Sequence, residues 1–280
     1  MENKRKNNKI FGLKAYYRIA ISEFSRKISY RASFYVGIIG QITGMILYCL
    51  FWNAVYKNSE SQYISGFMRR DMIYYVILAF VISNLLSSEI AKKIGDDVRD
   101  GSISMMLIKP ISYRANLLSY SFGDFLFKFL FSGLIAFIAI YVYDINSCRI
   151  LCITPLKLIL FAISIILSLL IYAYLDFCFG MIVVRTTYSF GMLLIKGAIL
   201  SFLSGQVIPY DFFPHIVKEV LEILPFSTIV YSPVMIFLGK NSVAEIIRYI
   251  FIQIFWTVIL AVLGQFFWKK NVKKMTILGG

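Results

Sequence analysis

The chain has 280 residues, of which 59% are hydrophobic and 17% aromatic, and its mean hydropathy is +0.74. Soluble domains contain about 45–50% apolar and about a quarter charged residues, whereas only 16% of this chain is charged, so the composition excludes a soluble domain. A net charge of +14 favours nucleic acid as a partner of a soluble protein, but here the basic residues alternate with apolar blocks. That arrangement indicates loops between membrane spans and predicts no nucleic-acid partner.

Two predicted elements precede the first apolar block. Residues 1–9 are polar and basic, which predicts a disordered tail. Residues 10–30 have apolar side chains at steps of three and four, with most basic residues on the other face. The apolar positions are Leu13, Tyr17, Ile21, Phe24 and Ile28. This pattern predicts an amphipathic helix that lies among lipid headgroups at the membrane surface.

Six apolar segments are each predicted to be a transmembrane helix, since about 20 apolar residues cross a bilayer. They cover residues 34–56, 72–88, 118–143, 157–184, 188–207 and 246–268. Most of the 29 Lys and Arg residues fall on the side of the two termini, including the basic tail at 269–280, which predicts that both termini are cytoplasmic. Residues 31–268 are therefore predicted to form one all-α membrane domain with six spans.

Between the second and third predicted spans lies a charged segment, residues 89–107, that we call the elbow. Ile90, Ile94 and Val98 recur at steps of four, and Gly101 ends that helix before a second short one. A connection alone needs only a few polar residues. The elbow is therefore predicted to be a cytoplasmic docking surface for a soluble partner, with a solvated turn on the membrane surface as the alternative.

The segment before the last predicted span, residues 208–240, is divided by prolines into pieces too short to cross the bilayer. The prolines are Pro209, Pro214, Pro225 and Pro233. Broken helices are stable at membrane depth only where protein or a wet cavity covers them. The pattern predicts two short helices that enter one leaflet from the extracellular side and return, as a re-entrant hairpin.

Two oppositely charged residues are predicted to meet inside the membrane. Asp176 and Lys196 lie on consecutive spans, each about 12–14 Å from the turn between them at 1.5 Å per residue. A lone charge at that depth is unfavourable by roughly 2.5–3.5 kcal/mol, and pairing offsets part of this. The alternative is that Lys196 faces a polar cavity and contacts a substrate. Asp124 and Lys128, four residues apart, are predicted to pair along one helix.

The order of these elements resembles that of the ABC-2-type permeases, the membrane subunits of bacterial type V ATP-binding-cassette exporters. Three stretches of sequence are also similar to one bacterial subfamily. They are EFSRKISYRASF before the first span, DVRDGSISMMLIKPIS in the elbow and LPFSTIVYSPVMIFLG in the re-entrant segment. The resemblance covers nearly the whole chain in architecture.

The resemblance implies that a separate ATPase subunit binds ATP and Mg²⁺, and that this chain binds no cofactor and is not itself an enzyme. The absence of a G-x-x-x-x-G-K-[ST] motif from the sequence agrees with that division. The elbow would rest in a groove of the ATPase, with residues 10–30 as the connecting helix beside it. The implied coupling residues are Glu89, Lys93, Asp96, Asp97, Arg99, Asp100, Ile103, Met106 and Leu107.

The resemblance further implies that the proline-broken segment closes an outer gate, through Pro209, Pro214, Pro225 and Pro233. Two permease subunits, identical or different, would pair among the membrane lipids, with spans two and five along the path. A small outer segment and an apolar path suit an amphiphilic compound, such as a peptide, a drug or a lipid-like molecule. The predicted function is export of such a compound across a bacterial plasma membrane.

The alternative to an exporter subunit is a stand-alone secondary transporter or channel, although no inverted repeat is visible in the sequence. The lack of H-E-x-x-H and G-x-S-x-G signatures argues against an integral membrane enzyme.

Cys148 and Cys152 are close enough in sequence for a disulfide, with two free thiols as the alternative.

Overall fold

The computed structural model describes residues 2–147, 154–184 and 189–278, which fold almost entirely into helices. Its first part contains, in chain order, α1 (Glu2–Ser29), α2 (Arg31–Lys57), β1 (Tyr63–Ile64), β2 (Phe67–Met68), α3 (Arg69–Leu86), α4 (Ile90–Arg99), α5 (Ser102–Ile108) and α6 (Tyr113–Lys128). The structure continues the first helix through residues 2–9, for which the composition predicts a disordered tail.

The second part starts with a π-helical turn at Phe129–Gly133, which joins α6 to the next helix without a break. The elements that follow are α7 (Leu134–Ser147), α8 (Pro155–Val183), α9 (Ser189–Leu203), a 3₁₀ turn (Tyr210–Phe212), α10 (His215–Ile223), α11 (Tyr231–Leu238) and α12 (Val243–Leu278). The predicted all-α class is thus confirmed for the described residues, apart from one two-stranded hairpin.

Five helical stretches of the described chain are long and apolar enough to cross a membrane. They are Phe34–Lys57, Arg69–Arg99, Tyr113–Val142, Pro155–Val183 and Val243–Val272. The predicted span at 188–207 corresponds to α9, whose 15 residues reach only about 22 Å, less than a hydrocarbon core of about 30 Å. The six predicted spans therefore become five candidate spans and one shorter apolar helix, because the chain turns at Gly205 with φ +78°.

The centre of the molecule is α3, which is apolar on all sides and surrounded by other helices, as such helices usually are. Its side chains at Met72, Tyr75, Leu78 and Ile82 have essentially no exposed surface. The adjoining α11 is buried at every residue, packed between α3 and α8. Protein therefore covers α11, which satisfies the condition for a non-spanning helix at membrane depth, whereas α10 keeps exposed apolar side chains such as Ile216.

The bundle has two ends, which we name by the segments found there. The elbow end carries α4, α5 and the last turns of α8, and the hairpin end carries β1, β2 and the polypeptide around α10. At the hairpin end, Ser65 and Gly66 both have positive φ, the arrangement of a tight two-residue β-turn. Lys240, just after α11, contacts the Gly66 carbonyl and pairs with Asp71. This short hairpin was not predicted from the sequence.

The amphipathic helix α1 packs along α6 rather than standing apart. The helices touch so closely that a Cβ at Gly123 would collide with the backbone carbonyl of Ala20. Most of the predicted apolar stripe does not form this contact: Leu13 and Tyr17 are both more than two-thirds exposed, whereas the centre of the Phe24 ring lies 6.0 Å from that of the Phe127 ring on α6. The exposed part of the stripe is therefore free to face lipid while the opposite face of α1 contacts the bundle.

Candidate functional site

The elbow consists of two short helices joined at a sharp turn. Gly101 has φ +71°, a left-handed conformation that suits glycine and ends α4. On its inner side, Ile90, Ile94 and Ile103 are at most 1% exposed and pack with the last turns of α8. A Cβ at Gly180 of α8 would lie 2.5 Å from Ile94 Cδ1, so the missing side chain allows this close approach.

These contacts correct one expectation for the elbow. The apolar stripe of the elbow was expected to be exposed to a partner, but it is used inside the molecule. Ile103 is buried, and therefore anchors α5 to the bundle instead of facing outward. The side chains of Met106 and Leu107 are half-buried, and Met106 Sδ lies 3.9 Å from Asn116 Nδ2.

Asp97 also points inward and binds three neighbours. Tyr113 Oη donates to its Oδ2 at 2.8 Å, and Ser102 Oγ donates to its Oδ1 at 3.3 Å. Lys93 Nζ lies 3.8 Å from Oδ1. The carboxylate therefore ties α4 to both α5 and α6. Its position indicates that it fixes the shape of the elbow.

The remaining charges of the elbow lie on its outer side. Arg99 contacts Asp96 at 2.9 Å and Asp100 at 3.4 Å, and these side chains are largely exposed. Two apolar side chains join them on the surface, Met105 at 67% and Ile108 at 84% exposure. We define the elbow face as Glu89, Asp96, Arg99, Asp100, Met105 and Ile108. The last two were missed from the sequence, although their spacing of three places them on the side of α5 away from Ile103.

A charged groove of about 480 Å³ lies beside the elbow, between α1, α4 and α6. Arg26 forms an ion pair with Glu23 at 2.6 Å and donates to Tyr120 Oη at 3.0 Å. The hydrogen bond to Glu23 raises the pKa of Arg26 above its ordinary value, so this guanidinium stays charged. Lys93 Nζ lies 5.2 Å from the centre of the Tyr120 ring, within cation–π distance. The groove thus extends the elbow face with charges from α1.

The two charges expected to meet in the membrane are in contact. Lys196 Nζ lies 2.7 Å from Asp176 Oδ1, with Asp176 fully buried and Lys196 8% exposed. The second oxygen of Asp176 accepts a hydrogen bond from Ser88 Oγ at 2.7 Å. The contact of Ser88 with Asp176 was not predicted from the sequence, because Ser88 lies 88 residues earlier in the chain, between α3 and α4.

The expected pair on α6 is also present, and it is larger than the sequence indicated. Lys128 Nζ lies 2.7 Å from Asp124 Oδ2, and Lys27 of α1 lies 2.9 Å from Asp124 Oδ1. Lys128 donates in addition to the backbone carbonyl of Ser87 at 2.6 Å. Spacing of four revealed the pair within one helix, but no local pattern reveals Lys27 or Ser87.

At the hairpin end, the four prolines separate the short helices. Pro209 and Pro214 precede the 3₁₀ turn and α10, Pro225 lies between α10 and α11, and Pro233 is in the first turn of α11, where proline is tolerated. Only Pro214 is exposed. The prolines thus define where each helix begins, and their assignment to an outer gate stays a prediction.

Polar contacts lock this end of the molecule. The amide nitrogen of Gln253 on α12 lies 2.9 Å from Ser168 Oγ and 3.0 Å from the Thr228 carbonyl, all fully buried. Burial raises the pKa of Glu222, although Lys218 and Arg248 lie within 3.8 Å and 3.4 Å of it. The segment is therefore held to α8 and α12 by hydrogen bonds and ion pairs.

A second, larger groove of about 1550 Å³ runs between α2, α3 and α7. Its walls are mainly apolar, with Ile38, Ile77, Phe80 and Ile135 among the lining side chains. It extends along α3 from Arg69 and Arg70 at the hairpin end to Asn84, about 22 Å at 1.5 Å per residue. We call it the α2–α3 groove.

Comparison with protein families identifies a family for this chain. The family described as ABC-2 family transporter protein matches residues 42–279, which include the elbow, every candidate span in part or whole, and the re-entrant segment. A comparison with curated proteins finds no match. Cys148 and Cys152 lie outside the described residues, as does Arg185 in the turn between α8 and α9. With the family model covering most of the chain, this multi-pass membrane protein belongs to the ABC-2 family of transporters, as a permease.

Proposed function

We propose that this permease works as the membrane subunit of an exporter whose ATPase is a separate chain that docks on the elbow face. The observation that carries the proposal is the two-sided construction of the elbow. Buried isoleucines fix it to α8, while Arg99, Met105 and Ile108 are exposed. A surface that combines charge with exposed apolar side chains suits a protein partner, and a rigid attachment transmits the partner's movement.

In this proposal, the elbow end and both termini lie on the cytoplasmic side of a bacterial plasma membrane. The basic residues around α1 and after α12 support this choice. The hairpin end is then extracellular, where the proline-separated segment acts as the outer gate. Its buried hydrogen bonds from Gln253 hold that gate closed until α12 or α8 moves.

We further propose that two permease subunits, identical or different, pair through α9. This helix has few neighbours in its own chain, and its apolar side chains at Phe190, Leu194, Ile195 and Phe202 are more than half exposed. At about 22 Å, α9 is also shorter than the hydrocarbon core, so the chain completes the crossing to the hairpin end through residues 204–212, where Phe212 contacts Trp52. A partner subunit would cover the exposed face of α9 and complete the path.

The substrate that best fits the molecule is an amphiphile with an anionic headgroup. The α2–α3 groove offers apolar walls for a chain, and Arg69 and Arg70 are both exposed at its hairpin end. Glu60 is the acidic residue among its lining, so cationic charge is in excess at that end. A stand-alone transporter without an ATPase is the alternative function, and it needs no exposed apolar residues on the elbow.

The first experiment asks whether a nucleotide-binding chain docks on the elbow face. Tagged protein is purified in mild detergent from its native host, and co-purifying ATPase activity is measured for the wild type and for Ile108→Asp. Ile216→Asp is the matched control, because Ile216 is similarly exposed (77%) but lies on α10 at the hairpin end. We expect Ile108→Asp to lose most of the activity and the control to retain it.

Two results would contradict the proposal. If no nucleotide-binding protein co-purifies with the wild type, the stand-alone transporter is favoured. If both variants retain the partner equally, the ATPase does not dock on the elbow face.

A further inference from the structure

The helical path of the chain breaks between α3 and α4, at Ser87–Glu89, which we call the junction. Ser87 has extended backbone angles (φ −56°, ψ 128°), so the helical hydrogen bonds stop and its carbonyl is left without a helical partner. A buried carbonyl without a donor is unfavourable. Lys128 supplies the donor, with Nζ 2.6 Å from the Ser87 carbonyl oxygen and 2.8 Å from its Oγ.

The neighbouring residue is held from another helix. Ser88, 7% exposed, donates its hydroxyl to Asp176 Oδ2 at 2.7 Å. The other carboxylate oxygen of Asp176 binds Lys196 at 2.7 Å. Consecutive serines are therefore each attached to a buried lysine–aspartate pair, one on α6 and one between α8 and α9.

Both pairs reach further helices. Asp124, the partner of Lys128, also binds Lys27 of α1 at 2.9 Å, and Lys196 belongs to α9. Direct contacts thus run without a gap from α1 through α6 to the junction, and from the junction through α8 to α9. Within the described residues, these contacts connect the helix beside the elbow with the helix proposed to pair two subunits.

We propose that the junction transmits movement of the elbow to α1 and α9, with Ser87 and Ser88 as positioning residues. If α4 rotates relative to α3, either Lys128 loses its hydrogen bonds to Ser87 or Asp176 loses its hydrogen bond from Ser88. A buried charge is then left with fewer partners. Elbow position and the two ion pairs are therefore energetically coupled. The part of the junction in transport rests on the proposed docking of an ATPase, whereas the contacts of the junction and the test below do not depend on that docking.

The test is hydrogen–deuterium exchange of the purified full chain in lipid nanodiscs, without any partner. Ser88→Ala removes the donor to Asp176 and is expected to speed amide exchange in residues 90–99 by about tenfold, the loss expected for a hydrogen bond to a charged group. Ser88→Thr keeps the hydroxyl and is expected to restore protection. Ser83→Ala is the matched control, because Ser83 lies one turn earlier and bonds to Gln206 instead.

A double variant tests whether a change on α9 reaches α4 through Ser88, or whether Ser88 only attaches α4 to the bundle. Lys196→Met on α9 is expected to speed exchange in α4 when Ser88 is present, and to add little in the Ser88→Ala background, because both act through Asp176. Lys128→Met removes the donor to the Ser87 carbonyl, a contact that Ser87→Ala would leave in place, and supplies an independent result on the α6 side if Ser88→Ala aggregates.

The inference is overturned if Ser88→Ala leaves exchange in residues 90–99 at the wild-type rate. It is equally overturned if the effect of Lys196→Met on α4 persists in full without the Ser88 hydroxyl. Neither result depends on an ATPase, so a failed co-purification would leave this inference standing, and a failed exchange experiment would leave the docking proposal standing.

Discussion

Asp96 and Asp97 are adjacent in sequence but differ in what surrounds their carboxylates. The Asp97 side chain is 11% exposed and accepts hydrogen bonds from Tyr113 and Ser102, whereas the Asp96 side chain is 41% exposed and contacts Arg99. Buried hydrogen bonds to a charged group contribute more to stability than surface ion pairs, which are screened by water. The two residues therefore have different roles in the elbow.

We predict that Asp97→Ala lowers the free energy of unfolding by about 1.5–3 kcal/mol, because the Tyr113 hydroxyl loses its acceptor. Asp96→Ala, the matched control, is expected to change it by less than about 1 kcal/mol. Thermal unfolding of the detergent-purified variants, followed by near-UV circular dichroism, measures the difference. Equal unfolding midpoints for the two variants would contradict the assignment of Asp97 as a buried support of the elbow.

At the scale of residues, the ion pairs within or between neighbouring helices were easier to predict from the sequence than the more distant side chains that contact them. Spacing along one helix predicted the contact of Asp124 with Lys128, whereas equal depth suggested that of Asp176 with Lys196 but left a polar cavity around Lys196 as the alternative. The sequence could not predict Ser88 or Lys27, because those contacts join residues far apart in the chain. Nor could it separate Asp97 from Asp96, since their burial depends on how α4 packs against α6.

At the scale of elements, close helix contacts depend on glycine at a few positions. A side chain at Gly123 would collide with the Ala20 backbone where α1 crosses α6, and a backbone cannot move aside as a flexible side chain can. Helix α1 is thus attached to α6 at a point where only glycine fits. Gly197 on α9, by contrast, has nothing within 4 Å of the position of a Cβ.

We predict that Gly123→Val separates α1 from α6, while Gly197→Val, the control, leaves this contact intact. The readout is maleimide labelling of a cysteine placed at Ala20, which is 6% exposed in the native protein. Labelling should be at least about tenfold faster with Gly123→Val, since overpacking at a closed contact costs on the order of 1–3 kcal/mol. A labelling rate unchanged from that of the control would show that α1 does not need this close approach.

Elements with a long periodic pattern were predictable, and short or buried ones were less so. The amphipathic pattern located α1, and the glycine and proline breaks located the elbow and the short helices α10 and α11. The length of α9 was overestimated because the predicted span was continued through Ser204 to Val207, whereas Gly205 turns the backbone. The inward direction of Ile90 and Ile94 was missed, since a stripe on a short helix does not reveal which neighbour covers it.

At the scale of the whole molecule, the α2–α3 groove lies between α2, α3 and α7, along one side of the central helix. No residue in the most apolar 18-residue window of Phe34–Lys57 is buried, whereas 56% of that of Arg69–Arg99 is buried. The two helices nevertheless touch, for example where Gly44 faces Phe80. The exposed first span thus leaves room for a chain-like ligand beside the central helix.

We predict that the groove prefers an anionic amphiphile. Purified protein is titrated with lysophosphatidylglycerol and with lysophosphatidylcholine, and binding is followed by tryptophan fluorescence. The wild type should bind the anionic lipid about tenfold more tightly, and Arg69→Gln with Arg70→Gln should remove this preference, because both charges lie at one end of the groove. Lys57→Gln is the control, an exposed lysine at the same end outside the lining. Equal affinity of the wild type for both lipids would contradict the prediction.

The π-helical turn at Phe129–Gly133 accommodates one residue more than an α-helix of the same length. Lys128 lies just before it and binds Ser87, and Gly133 ends it and faces Leu85. The turn absorbs this extra residue, so the helix on either side keeps the alignment of an uninterrupted α-helix that is one residue shorter. Without the turn, the same residues in α-helical geometry would rotate one side by about 100° relative to the other, and Lys128 and Gly133 could no longer face their partners together. Deletion of one residue at this turn is therefore expected to keep both contacts, whereas insertion of one residue is expected to break one of them.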